Sequence, residues 1–191
     1  LSVPSASANP AAPPVFARLL DDDARAGLAP AVRDFHQRGP AHYRGEALVR
    51  GAGHPLARLV RWWFGFPVPG EQVRVSLRIE ERNGREHWHR RFGERDFSSS
   101  FAPSRDGRFL AEQFGAFRFR FALRSEAGRL HWDFAGWAFG PLPMPRALGP
   151  RIVSWEAQDD DGRLRFFSQA DFPLLGQLIY YDGRVEPVLA D

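Results

Sequence analysis

Val73-Arg-Val-Ser-Leu-Arg-Ile79 and Phe117-Arg-Phe-Arg-Phe-Ala-Leu123 are the stretches whose reading decides the fold. Each alternates a large apolar side chain with a polar or small one. Successive side chains on an extended strand point to opposite faces, so this is the pattern of strands with one buried and one wet side. Working outward, strands are predicted at about 72–82, 86–92, 96–101, 108–114, 117–124, 129–139, 151–158, 163–172 and 177–181, with His42 to Val49 as a first strand. Asn83-Gly84 is a tight-hairpin signal, and Asp106-Gly107, Ala127-Gly128 and Asp161-Gly162 mark further turns. Residues 141–150 are a proline-rich crossing with room for one helical turn. Consecutive hairpins make an antiparallel meander, which right-handed twist curls toward a half-barrel or barrel.

Helical spacing is confined to the N-terminal half. Phe16, Leu19 and Leu20 are so spaced, with Asp21 to Asp23 breaking the run, and Pro30 suits the first turn of a helix carrying Val32 and Phe35. His54 to Phe64 is the best helix. Leu56, Leu59, Val60, Trp63 and Phe64 form its predicted apolar stripe, with Arg58 and Arg61 on the other side. The expected fold is α+β: a strongly curved, mostly antiparallel sheet with two or three helices packed on one side. Residues 1–13, rich in Ser, Ala and Pro, are expected to be a disordered leader ahead of a single domain over 14–191.

The 191 residues suffice for a sizeable core, and 14% aromatic residues favour β-structure or an aromatic-lined cavity. All basic residues are arginine, which sets a formal charge of +3 beside an isoelectric point of about 10.1. That charge is too small to argue for nucleic acid. Lysine-free, Ala/Pro/Gly-rich usage suggests a GC-rich bacterial genome. Without cysteine, disulfides, thiolate metal sites and cysteine nucleophiles are excluded. No stretch approaches the ~20 apolar residues of a membrane span, and the N-terminus does not read as a signal peptide, so the chain is expected to be cytoplasmic.

Arg90 breaks the alternation. It shares parity with Trp88 and Phe92, which puts a charge between two large aromatics, and Glu112 is similarly placed between Leu110 and Phe114. A buried arginine needs a partner, because unpaired burial costs several kcal/mol. An Arg90–Glu112 pair is therefore predicted. It reads as an ion pair fixing strand register, as an anion-binding arginine in an aromatic cleft, or as a bulge turning Arg90 to water. Trp132 and Phe134 have one parity and Trp137 and Phe139 the other, with Gly136 as a candidate bulge that swaps faces.

Other constellations are weaker. His87 and His89 form an H-x-H on the face opposite Arg90, lacking a required third ligand, with His131 or Asp133 as candidates. Gly51-Ala-Gly53 imitates part of a dinucleotide fingerprint but lacks its third glycine. Ser98 to Ser100 lack a nucleophile-elbow setting. Asp159 to Asp161 lack calcium-loop spacing, and Glu80 and Glu81 point to opposite faces. Arginines 74, 78, 118, 120 and 124, interspersed with Glu80, Glu86 and Glu94, read as a mixed salt-bridged surface rather than a basic patch.

The chain resembles an uncharacterised bacterial family, domain of unknown function 4166. The resemblance rests on pieces running in order over about 14–188: Phe16-Ala-Arg-Leu-Leu20, the turn and helix from Gly51, Trp88-x-Arg90-x-Phe92-Gly93, Phe97-x-Ser99, Glu112-x-Phe114-Gly115, Phe117-x-Phe119, Gly140-Pro-Leu-Pro143 to Pro150, Phe166, and Pro173-Leu-Leu-Gly176 with Tyr181-x-Gly183. Asp182-Gly183-Arg184 depart from the apolar ending the resemblance leads one to expect. Relatives occur alone or behind a dinucleotide-binding reductase-like domain, which implies a reductase-like partner in trans and supplies no catalytic residues. The expected function is a non-catalytic module without cofactor or metal. It would hold an apolar or amphipathic, lipid-like molecule through Trp88, Arg90, Phe92, Glu112, Trp132 and Trp137. The alternatives are an enzyme or accessory domain of a nicotinamide-dependent reductase, with His131 and Asp133 as the local titratable pair, and a structural domain without ligand.

Overall fold

In a computed structural model, which describes residues 13–39 and 41–188, the alternating stretches form a closed antiparallel barrel. The leader expected over 1–13 lies, apart from Pro13, outside the described residues. The strands are β1 (Ala41–Arg50), β2 (Gly70–Arg82), β3 (Arg85–Phe92), β4 (Arg95–Pro103), β5 (Leu110–Phe114), β6 (Phe117–Glu126), β7 (Arg129–Phe139), β8 (Leu142–Met144), β9 (Arg151–Gln158), β10 (Leu164–Phe172) and β11 (Gly176–Pro187). Ten of them close in the cyclic order β1-β2-β3-β4-β5-β6-β7-β9-β10-β11, and β8 pairs outside the ring with the end of β7. The crossing from Gly140 to Pro150 thus holds β8 and a 3-10 turn, Arg146–Leu148.

The last strand runs past the expected end at 181, and this extension closes the ring. Asp182-Gly183-Arg184 lie within β11, which pairs with β1 through Ala47↔Gly183 and Gly45↔Val185. A Cβ on Gly45 would fall 1.8 Å from the Arg184 carbonyl oxygen, and one on Gly183 would fall 2.6 Å from the Phe166 ring. Only hydrogen fits at either position, so the seam requires Gly45 and Gly183. The Asn83-Gly84 hairpin has φ of 55° and 70°, the doubly left-handed turn that its sequence favours.

Inward-facing positions are apolar: Val75, Leu77 and Ile79 are buried while Arg74 and Arg78 face outward. Arg91–Asp96, Arg82–Glu80 and Arg124–Asp133 pairs make the outer wall the mixed surface expected. At Gly136 the β6–β7 register shifts, so Trp132 and Trp137, of opposite parity, both line the interior.

The helices close the two ends. At the end holding the Asn83-Gly84 and Ala127-Gly128 turns, the 3-10 turn Phe16–Arg18, α1 (Asp22–Ala26) and α2 (Pro30–Gln37) form a plug. Phe16 is fully buried against His36, Trp88, Phe101 and Trp132. Asp21 starts α1, rather than merely ending the preceding run, because its Oδ1 accepts the Ala24 N–H at 2.7 Å. At the opposite end α3 (Pro55–Trp63) spans from β1 to β2. His54 caps it and also bonds the Leu175 carbonyl at 2.8 Å. Its orientation corrects the expected stripe. Ala57, Val60, Arg61 and Phe64 face inward, whereas Leu56, Leu59 and Trp63 are exposed. Arg61 is buried with its guanidinium bonded to the Pro67 carbonyl, in space that only a glycine at position 51 leaves clear. Burial holds Arg61 below the ordinary arginine pKa.

Candidate functional site

Inside the barrel lies a cavity of about 420 Å³. It is lined by Val60, Phe64 and Phe66 at the α3 end and by Phe35 and Trp132 toward the plug. Its walls are mostly phenylalanine and aliphatic, because every second residue of ten strands converges there.

A polar group crosses this apolar interior at mid-height. Arg90 on β3 and Glu112 on β5 reach toward each other on the inner face of β4, with Nη2 and Oε1 3.8 Å apart. The predicted pair thus forms, as an ion pair looser than a hydrogen bond. Both side chains are largely buried, 11% and 19% exposed. Arg90 donates from Nη1 to the Ser99 hydroxyl at 2.8 Å. Its guanidinium carbon also lies 4.9 Å from the Trp88 ring, 5.4 Å from Phe97 and 5.5 Å from Phe101, an attractive cation–π setting. Arg90 has five N–H donors, and among the described residues only Ser99 accepts from it, while Glu112 accepts none at hydrogen-bond distance.

Across the cavity, Tyr181, Ser154 and Ser168 complete the polar belt. Burial pushes the Tyr181 phenol above its usual pKa, with Glu112 adding to the effect and Arg90 opposing it. The Ser154 and Ser168 hydroxyls bond each other at 2.7 Å. Two further buried carboxylates tie the plug to the barrel. Glu86 accepts from the Val15 N–H at 2.8 Å and the Trp88 indole at 3.1 Å, and Glu156 pairs with His36 at 2.5 Å.

All six residues singled out from the sequence, Trp88, Arg90, Phe92, Glu112, Trp132 and Trp137, line the cavity. The Trp132 indole nitrogen is buried without a partner among the described residues, and Trp137 donates to the Pro145 carbonyl at 3.1 Å. Sequence reading assigns Glu86 to the outer salt-bridged surface, whereas it is buried, and it misses Glu156, Ser154 and Tyr181. Glu86, Glu156 and Ser154 were findable by the parity argument that found Arg90: Glu86 shares parity with Trp88, and Ser154 and Glu156 share it with Ile152. His36, on a helix, carries no such signal.

The remaining candidates stay apart. His87 and His89 sit on the outer face of β3, between β2 and β4, so neither His131 nor Asp133 on β7 can join them. Among the described residues no group of three or more His, Asp or Glu could hold a metal. Asp133 is bonded to Arg124 at 2.9 Å, and His131 approaches Glu126 at 3.9 Å on the outer wall. Gly51-Ala-Gly53 is the turn into α3. Ser99 serves Arg90, and Asp159 to Asp161 form the β9–β10 turn, where Asp159 pairs with Arg163.

Fold and interior together define a ten-stranded antiparallel barrel that keeps an arginine–glutamate pair inside an apolar cavity, with its helices at the two ends. The chain belongs to the family Domain of unknown function (DUF4166), whose model matches residues 28–185. The Phe16-Ala-Arg-Leu-Leu20 piece of the plug precedes the matched residues. No curated protein matches the chain.

Proposed function

We propose that this domain is a non-catalytic, cofactor-independent cytoplasmic module that binds an amphipathic small molecule, its apolar body in the barrel and its anionic end on Arg90. The observation that carries the reading is the unused hydrogen-bonding capacity of Arg90 inside an otherwise apolar cavity. A desolvated guanidinium with open donors is suited to a carboxylate, sulfonate or phosphate oxygen. The volume falls within the roughly 300–1,000 Å³ of small-molecule sites. Glu112 holds the guanidinium in place at a distance that leaves its fork open. The reductase-accessory alternative rests on the family resemblance alone, whereas Arg90 gives the ligand reading a specific contact.

The test starts with native mass spectrometry of the protein from its own host, which reports any co-purifying ligand. The stripped protein is then titrated with dodecanoate and with dodecanol, following tryptophan emission, since Trp88, Trp132 and Trp137 line the cavity. Dodecanoate is expected to bind at least about tenfold more tightly, the worth of one charge-assisted hydrogen bond. Absence of both a co-purifying ligand and any response to either amphiphile overturns the reading in favour of a ligand-free structural barrel.

A further inference from the structure

The surface of the barrel is polarised end to end. Leu56, Leu59, Trp62 and Trp63 on α3, Val68 just after it and Leu174 in the β10–β11 turn are all exposed, Trp63 to 75% and Leu174 to 98%. Phe139, the last residue of β7, and Leu142 and Leu148 in the β7–β9 crossing are also exposed at the same end. Val153, two residues into β9 from that end, completes the exposed large apolar residues among those described. The plugged end has none among the described residues.

The α3 end is also weakly positive. The connections at the α3 end span 51–69, 93–94, 115–116, 140–150 and 173–175, and carry Arg58, the buried Arg61, Arg146 and a single acid, Glu94. The plugged end is close to balanced, with Asp21 to Asp23, Asp34, Asp106 and Asp159 to Asp161 standing beside Arg18, Arg25, Arg33, Arg38, Arg105, Arg108 and Arg163. Helix α3 is therefore apolar on two faces. One face, through Val60 and Phe64, lines the cavity, and the other, with adjacent tryptophans and Arg58, faces outward.

We propose that the α3 end of the barrel docks on the surface of an anionic lipid bilayer. Tryptophan is favoured at the membrane–water boundary because its ring is apolar and its N–H is polar. An amphipathic helix binds there through apolar burial together with cationic attraction to anionic headgroups. A polar protein partner would gain nothing from so apolar a face, and the exposed Arg58 and Arg146 add attraction to a negative surface. In this orientation Val60 and Phe64 put the cavity one helix thickness from the acyl chains. The inference stands on the outer surface and holds whether or not the cavity takes a ligand.

The test is co-sedimentation of the full chain with phosphatidylcholine vesicles and with vesicles containing one quarter phosphatidylglycerol. Binding is expected to be stronger to the anionic vesicles, with a blue shift of tryptophan emission. Trp62→Ser/Trp63→Ser is expected to lower partitioning about tenfold at an unchanged Tm, since both side chains are exposed. Arg58→Glu is expected to lower only the anionic preference, by about fivefold or more. Failure to sediment with either vesicle, or sedimentation that the double variant leaves unchanged, overturns the proposal. So does a concentration-dependent dimer that the double variant abolishes, which would assign the face to a second copy of the chain.

Discussion

Replacing Arg90 with methionine separates what the Arg90–Glu112 pair contributes from what it costs. At 3.8 Å the gross attraction is about 4 kcal/mol at an effective dielectric of about 20. Desolvation of both ions opposes much of it. Methionine fills the guanidinium's space with apolar atoms, but it loses the Ser99 bond and the contacts to three aromatic rings. It also leaves Glu112 without a cation at 19% exposure. We expect Arg90→Met to cost about 1–3 kcal/mol, or about 2–12 °C in Tm for a chain of this length. Adding Glu112→Leu removes the stranded carboxylate, and the double variant should return to within about 1 kcal/mol of the parent, because a buried pair replaced by apolar side chains is often neutral. Denaturant unfolding of the four proteins, each stripped of bound molecules, closes the cycle. If the two single losses simply add in the double variant, the pair is not coupled and the reasoning fails. The same Arg90→Met protein should lose most of its preference for dodecanoate over dodecanol while keeping dodecanol affinity.

Glu86→Ala removes the acceptor of the Val15 N–H and the Trp88 indole, and should cost about 2–5 kcal/mol while making the segment around Val15 and Phe16 an early site of proteolysis. A protease-resistant variant with unchanged stability would deny Glu86 the role of plug anchor. Gly45→Ala sets a Cβ against the Arg184 carbonyl and should destabilise by at least about 1–3 kcal/mol, readable as a lower denaturation midpoint. Tyr43→Phe discards a buried hydroxyl that has no partner among the described residues, so it should be neutral or stabilising by up to about 1 kcal/mol. Burial raises the Tyr43 and Tyr181 phenols above the usual 10.0. Above pH 10 the unfolded chain therefore ionises first and stability falls, a decline that should be shallower in Tyr43→Phe.

The parity argument succeeded where one side chain's direction follows from its neighbours'. Arg90 and Glu112 read as inward-facing because β-strands alternate with period two, and the β7 bulge is legible because Gly136 stands where the aromatic parity changes. The same argument had no purchase on α3. A helix carrying apolar residues all round offers two stripes of comparable strength, and packing chose Ala57, Val60, Arg61 and Phe64, leaving Leu56, Leu59 and Trp63 exposed. The end of β11 was underestimated because aspartate, glycine and arginine weaken a strand reading locally, whereas the close approach of β1 makes that glycine necessary.

Sequence by itself determined the run of antiparallel strands, their hairpin turns, the interior position of Arg90 and Glu112, and membership in a family, all of which depend on local period and short spacing. Closure of the ring, the plug that brings Glu86 and His36 inside, the mid-height polar belt and the end-to-end polarity of the surface were decided by tertiary structure. Each depends on which distant segments pair, as β1 does with β11 and Val15 with Glu86, and a periodic pattern specifies the face of a residue without specifying its partner.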